Sequence, residues 1–407
     1  MSGPLGVAAR AQVPPFAVMD ILARVAQLRA AGRSVISLCA GEPGGGAPSA
    51  VSVAAAALHT AGTPMTYTPA LGIAELRAAI AGHYQRWYGL EIDARNVAVT
   101  TGSSGAFLLT FLSAFNAGDR VALARPGYPA YKNILRALGV EVVEIDAGPD
   151  TRFQPTPVQL DAAVREHGPL AGLMLASPAN PTGTMVSREE LTALARWCAT
   201  HSVRLVSDEI YHGITYPGPD APDPRGVCAW EVDRSAVVIS SFSKYWGMTG
   251  WRLGWAIVPD ELVEVVDALA GNVALCPPAP AQLAAVAAFS EASYAEADAF
   301  VAEFSRTRDY LLANVGRLGW EDVAPADGAF YLYAGLGPAM DGFADSAAYC
   351  SALLESAGVA VVPGLDFDAV GGRHTVRLSF AAGYDAVQEG LERILAFHDS
   401  RAGHLPH

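Results

Sequence analysis

Basic charge is scarce in this chain. Lys and Arg number 27 against 41 Asp and Glu, a net charge of −14 over 407 residues. The basic residues nowhere form a run, so the surface repels phosphate backbones and nucleic acid is not expected as a partner. Long apolar runs are lacking too. Charges, prolines or glycines break every apolar stretch before it could span a bilayer, and the opening Met1–Val7 has no basic region leading an apolar core. No membrane association is expected, and a cytoplasmic location is. The five cysteines (Cys39, Cys198, Cys228, Cys276 and Cys350) are odd in number, scattered, and never spaced Cys-x-x-Cys. That pattern argues against a disulfide framework and a zinc site and for buried reduced thiols, so no metal is expected. Internal repeats are also lacking, and the alanine-rich stretch 50–57 reads as a helix.

Length and apolar content are ample. With 407 residues, 51% of them hydrophobic, the chain exceeds the usual size of a single core, and two packed domains are expected. Short apolar runs alternate with helical patterns: 96–100, 121–124, 173–176, 203–206, 236–240 and 254–258. Such spacing predicts βα units around a mostly parallel sheet, an α/β fold with helices on both faces. Ser187-Arg188-Glu189-Glu190 has the capping-box pattern, followed by Leu191, Leu194, Ala195 and Cys198 on one helix face. After Pro277, Pro278 and Pro280, which cannot continue a helix interior, long helical stretches precede three further strands at 329–333, 359–362 and 375–380. These predict a smaller α+β domain beyond a boundary near residue 278.

The stretch Ser240 to Trp255, SSFSKYWGMTGWRLGW, carries the most chemistry. Lys244 follows a buried-strand pattern and is expected at a strand end facing a cleft. A lysine amine lowered in pKa by burial can form a Schiff base and shuttle protons. Arg252 supplies a planar cation suited to phosphate, beside the hydroxyls of Ser241 and Ser243. A second anion-binding pattern is Thr101-Gly102-Ser103-Ser104-Gly105, a Gly/Ser turn entering a helix, where exposed backbone N–H groups and the helix dipole favour phosphate. Alone, that turn is more often a plain tight turn. Asp208, at the end of a strand, alone suggests a helix N-cap, and Asn180-Pro181 alone suggests a turn.

Ser-Phe-Ser-Lys followed by Met248-Thr249-Gly250-Trp251-Arg252 resembles the cofactor-lysine signature of the class I/II aminotransferases, pyridoxal-phosphate enzymes of fold type I (aspartate aminotransferase-like). The other landmarks of that family follow in order, from Gly41-Glu42-Pro43 to Arg377-Leu378-Ser379-Phe380. The resemblance implies pyridoxal 5'-phosphate held by Lys244. Ser103, Ser104, Ser241, Ser243 and Arg252 would take its phosphate, and Tyr128 would stack on its ring. Asp208 would pair with the ring nitrogen, and Asn180 and Tyr211 would bond the ring hydroxyl oxygen. Lys244, Asp208 and Tyr211 are the implied catalytic set. Arg377 would grip the substrate α-carboxylate beside Asn180, with the backbone at Gly41 approaching the substrate. Tyr67 would reach across a homodimer interface to the neighbouring subunit's phosphate. The family also implies that residues 1–50 join 279–407 in the small domain, leaving 51–278 as the large cofactor-binding domain.

Relatives acting on dicarboxylic amino acids supply a second cation, in one subgroup a lysine in the glycine-rich turn. Ser104 stands at that place here. An acidic side chain would be poorly compensated in such a pocket, so the expected donor is a neutral α-amino acid, apolar or aromatic, with a 2-oxo acid as acceptor. Two rivals share the fold. One is elimination, replacement, cyclisation or carbon–carbon bond formation on the same lysine and ring. The other is a non-catalytic cofactor-binding regulator, which would carry a DNA-binding module ahead of the enzyme-like pattern.

Overall fold

The computed structural model describes residues 6–218 and 223–402. Most of the opening segment read for a leader pattern, residues 1–5, lies outside the described residues. Twelve strands are described: β1 (Ile36–Ser37), β2 (Val97–Thr100), β3 (Arg120–Arg125), β4 (Glu141–Asp146), β5 (Gly172–Ala176), β6 (Arg204–Asp208), β7 (Val237–Ser241), β8 (Gly254–Ile257), β9 (Tyr331–Gly335), β10 (Val359–Ala360), β11 (Val362–Pro363) and β12 (Thr375–Ser379). The α-helices are α1 (Ala17–Ala30), α2 (Ser49–Thr60), α3 (Ala74–Tyr88), α4 (Gly102–Ala114), α5 (Pro129–Ala137), α6 (Pro157–His167), α7 (Arg188–His201), α8 (Asp260–Val273), α9 (Ala279–Ala285), α10 (Glu291–Asn314), α11 (Ser346–Ala357) and α12 (Tyr384–Ala402).

Seven strands form the large sheet in the order β2-β8-β7-β6-β5-β3-β4. Only β8 runs against its neighbours. The apolar runs are continuous because both faces are covered and successive side chains point to opposite sides. Leu173, Leu175 and Val238 enter one core with α6 and α7. Met174, Val237 and Ile239 enter the other with α4 and α8. Truncating a fully buried residue such as Ile239 to alanine is expected to cost about 2–5 kcal/mol. Helix α7 begins as its sequence indicates: Ser187 Oγ accepts from Glu190 N–H at 3.2 Å, and Ser187 N–H donates to Glu190 Oε2 at 2.7 Å.

A second, three-stranded antiparallel sheet has the order β11-β12-β9, and a parallel pair joins β1 to β10. The N-terminal segment is thereby hydrogen-bonded to the C-terminal part of the chain. Helix α9 packs on α2 and α3, whereas α10 packs mainly on α12 and also touches α2.

One strand has no counterpart in the sequence reading, and two strand readings need correction. Strand β4 gave no continuous apolar run, because Glu141-Val142-Val143-Glu144-Ile145-Asp146 is an edge strand, paired with β3 alone and alternately exposed. The single strand expected at 359–362 is two, since the chain leaves its pairing with β1 at Ala360 and joins β12 at Val362. The strand expected from Ala329 begins at Tyr331, because Ala329 is left-handed at φ 57°.

Candidate active site

Because β8 alone is reversed, the C-terminal ends of β2, β3, β5, β6 and β7 share one edge of the large sheet, and the start of β8 lies there too. Open α/β sheets gather their ligand-binding loops at this edge. Here the loops border a cleft of about 830 Å³. Gly41, Ser103, Ser104, Tyr128, Asn180, Tyr211, Ser243, Lys244, Arg252 and Arg377 all line it. The folded chain thus brings together ten residues spread over more than 300 positions.

Lys244 leaves the end of β7 half-buried, and its Nζ donates to the Gly41 carbonyl. Burial lowers its pKa from 10.5 to about 8; Glu42 and Asp208 oppose that shift, while Arg377 and Arg252 reinforce it. Its loop is firmly anchored. Tyr245 donates to Asp298 Oδ1 at 2.7 Å, and Trp246 Nε1 donates to the Ala288 carbonyl at 2.9 Å. Trp246 also lies parallel to Trp87 at 6.2 Å. Next to it, Gly247 is left-handed at φ 63°, and a Cβ there would lie 2.3 Å from the Gly46 carbonyl oxygen. The glycine-rich segment 44–46 therefore rests backbone to backbone on the lysine loop.

The anion-binding end forms where α4 begins. Gly102 is left-handed at φ 67°, and a Cβ on it would sit 2.4 Å from Arg252 Nη2. A Cβ on Gly254 would meet Ser103 N at 2.7 Å. Only glycine at both positions lets the arginine and β8 come this close to the helix N-terminus. Ser241 does not line the cleft. It lies behind Ser243, accepting from Ser243 N–H at 3.0 Å with the two hydroxyl oxygens 2.8 Å apart. The donor set is cationic and rich in hydroxyl and N–H groups, the chemistry a phosphate monoester requires.

Asp208 is buried at the end of β6, where Oδ1 accepts from Ile210 N–H at 3.0 Å and Oδ2 accepts from the Tyr131 hydroxyl. Burial raises its pKa to about 6, and those two hydrogen bonds and the Lys244 charge restrain the rise. Tyr211 and Tyr331 hydroxyls lie 2.8 Å apart, and the Lys244 ammonium is 5.7 Å from the Tyr211 ring centre. Tyr131 and Tyr331 were not singled out in the sequence. The alternation of Tyr331 and Tyr333 in an apolar strand was the available signal, but both also read as core.

Across the cleft, Arg377 on β12 is 4% exposed. Its Nη1 donates to Asn180 Oδ1 and its Nη2 to the Cys39 carbonyl, each at 2.9 Å. The guanidinium lies 4.4 Å from the Tyr331 ring centre and 4.8 Å from that of Phe367. Its Nε is buried with no hydrogen-bond partner. A buried arginine with an unsatisfied N–H bordering a cleft is suited to a carboxylate ligand.

The other expected residues stand differently. Tyr128 lines the cleft, with Phe16 stacked on it at 6.0 Å and 6° between planes. Tyr67 is 81% exposed and does not line the cleft of its own chain. The outer wall is apolar, built from Phe16, Val18, Met19 and Leu22 at the start of α1 with Phe107 and Ile134.

The arrangement has close counterparts. A model of the family described as aminotransferase class I and II matches residues 33–394. A valine–pyruvate aminotransferase of Mycobacterium tuberculosis is 51% identical over 95% of this chain and 97% of its own. An aspartate/prephenate aminotransferase of Thermus thermophilus is 34% identical over 95% and 97%. Among solved structures, an aminotransferase from Mycobacterium tuberculosis superposes with a TM-score of 0.92 at 50% identity, covering 97% of this chain and 99% of that one. The family match spans most of the chain and the structural match nearly all of it, including the lysine loop and the strand bearing Arg377: the chain belongs to the class I and II aminotransferases and has their fold type I architecture.

Proposed function

We propose that this aminotransferase uses pyridoxal 5'-phosphate to move the amino group of an uncharged, apolar α-amino acid to a small 2-oxo acid. One observation carries the reading. A half-buried lysine amine stands in a single cleft between a helix N-terminus with an arginine on one side and a buried arginine with an unsatisfied N–H on the other. The cations lining that cleft, among the described residues, are Lys244, Arg252 and Arg377. Two are assigned to the cofactor and one to the α-carboxylate, so the side-chain end is left to the apolar wall at α1. A valine–pyruvate relative supports the same donor class.

Ser103, Ser104, Ser243 and Arg252 would hold the phosphate, Tyr128 would cover the ring, and Asn180 and Tyr211 would bond its hydroxyl oxygen. Ser241 orients Ser243. Bound there, the cofactor supplies a cationic ring that accepts the electron pair left when the substrate Cα loses its proton. Asp208, whose ionised form the Tyr131 hydroxyl and the Ile210 N–H favour against burial, would hold the ring nitrogen protonated. Lys244 would hold the cofactor aldehyde, and its free amine would serve as the base at the substrate Cα. An amine lowered to about 8 is well matched to that proton transfer near neutral pH. Arg377 fixes the α-carboxylate and so turns the Cα–H bond toward Lys244. Tyr331 and the Gly41 carbonyl orient Tyr211 and Lys244.

The proposal extends to assembly and location: a cytoplasmic homodimer, with Tyr67 completing the neighbouring phosphate site. Support comes from the exposure of Tyr67 and from an apolar groove of about 370 Å³ lined by Ala70, Ser104, Leu108 and Val273. Residues 51–278 form the cofactor domain in this reading, and 1–50 with 279–407 the smaller one.

The test is a panel of single amino acids incubated with cofactor-loaded enzyme and no acceptor, with products identified by mass. Expected is one equivalent of the matching oxo acid from valine-like donors, at least about tenfold faster than from aspartate. Faster conversion of aspartate would overturn the donor assignment. Products of elimination in place of an oxo acid would overturn the reaction.

A further inference from the structure

One short turn touches three walls of the cleft. It follows β11 and runs through residues 364–368. Phe367, 3% exposed, lays its ring 4.8 Å from the Arg377 guanidinium. Its carbonyl accepts from Gly127 N–H at 3.2 Å, in the loop that carries Tyr128. Asp366 Oδ1 accepts from Ala17 N–H at 2.9 Å, at the first residue of α1.

Asp368 holds the turn in place. Its side chain is 6% exposed; Oδ1 accepts from Val370 N–H at 2.8 Å, and both oxygens lie 3.4 Å from Arg125 Nη1. Arg125, 17% exposed, ends β3 and also pairs with Asp146 at 2.8 Å. A carboxylate this buried is expensive unless a cation stays beside it. The contact therefore constrains both partners: the loop from β3 cannot move away from the β11–β12 turn without stranding the Asp368 charge.

The geometry points to Arg125 and Asp368 as positioning residues for substrate binding. Their pair locks the Tyr128 loop to the turn whose Phe367 backs Arg377, so that the cofactor-side wall and the carboxylate grip keep a fixed separation. This rests on the proposed role of Arg377. Neither residue lines the cleft, so the pair acts through Arg377 and the Tyr128 loop, and its loss falls chiefly on binding of the carboxylate.

The probe is 3-methylbutanoate, a carboxylate without an amino group, titrated into cofactor-loaded enzyme, alongside steady-state kinetics with valine and pyruvate. Asp368→Asn keeps the acceptor for Val370 N–H and removes the charge. It is expected to raise the Kd of the probe and the KM for both substrates about tenfold, with kcat within about twofold. Arg125→Gln is expected to do the same, and it serves where Asp368→Asn fails to fold. The double variant should be no weaker than the weaker single one, because the two residues act as one contact. Unchanged probe binding in both single variants, additive losses in the double, or a fall in kcat with KM unchanged would each overturn the assignment. Arg377→Ala separates the two readings. If it abolishes probe binding while Asp368→Asn does not weaken it, the pair has no positioning role and the grip stands. If Arg377→Ala binds the probe normally, the grip fails and the proposed coupling fails with it.

Discussion

Lys244 shows how a functional side chain imposes a stability cost that its own titration can reveal. Folding lowers its pKa from 10.5 to about 8 through burial. Above pH 10.5 the amine is neutral in both states and folding bears no charge penalty. As pH falls through 10.5 the unfolded chain takes up the proton first, and stability declines until the folded amine also protonates near 8. At pH 7 the full penalty remains. Cofactor-free Lys244→Met is therefore expected to be more stable than the parent at pH 7 and to lose that advantage between pH 8 and 10.5, as read from urea midpoints. An advantage independent of pH would mean that packing, and not charge, distinguishes the two. Lys244, beyond the end of β7, Asp208, at the end of β6, and Arg377, in the middle of β12, could be singled out in the sequence because each stands in a motif of the family that the chain resembles. Tyr131, Tyr331 and Phe367 could not, because an aromatic that orients a polar group and one that only fills a core look alike until its hydroxyl or ring face is seen beside a partner.

At the level of elements, the glycine-rich segment 44–46 and the lysine loop meet through their backbones. A Cβ on Gly247 would lie 2.3 Å from the Gly46 carbonyl oxygen, and the residue is left-handed as well. Gly247→Ala is expected to destabilise the protein by about 1–3 kcal/mol and to displace Lys244 from the Gly41 carbonyl. Gly44→Ala meets nothing within 4 Å and should stay within about 0.5 kcal/mol. Gly45→Ala should be the milder of the two strained changes, because it meets only the end of the Phe300 ring, which is 41% exposed and able to turn away. Urea denaturation and turnover of the three variants check the order; equal effects for Gly44 and Gly247 would refute the contact. The sequence shows three successive glycines at 44–46 but not what they touch, since the lysine loop they meet lies far along the chain. The buried parallel strands were readable from their apolar runs, whereas β4 was hidden by its alternating edge pattern and the split of β10 from β11 by a change of pairing partner inside one apolar stretch.

For the whole molecule, the proposed dimer follows from a mismatch. Tyr67 is the residue that the family resemblance assigns to a phosphate, yet it stands 81% exposed outside its own cleft. An apolar groove beside Ser104 offers the surface a second copy would cover. Val273→Asp in that groove is expected to shift the protein toward monomer in sedimentation. Tyr67→Phe should leave the dimer intact and weaken cofactor binding about tenfold, the effect of one hydrogen bond to a charged group. A monomeric parent at micromolar concentration would exclude the shared site. The most direct test of the central claim is exchange of the Cα proton of valine with solvent deuterium, followed by proton NMR with excess cofactor and no acceptor. The parent is expected to exchange it, and Lys244→Ala to fall to the rate of free cofactor; exchange by Lys244→Ala at the parent rate would show that another group moves the proton.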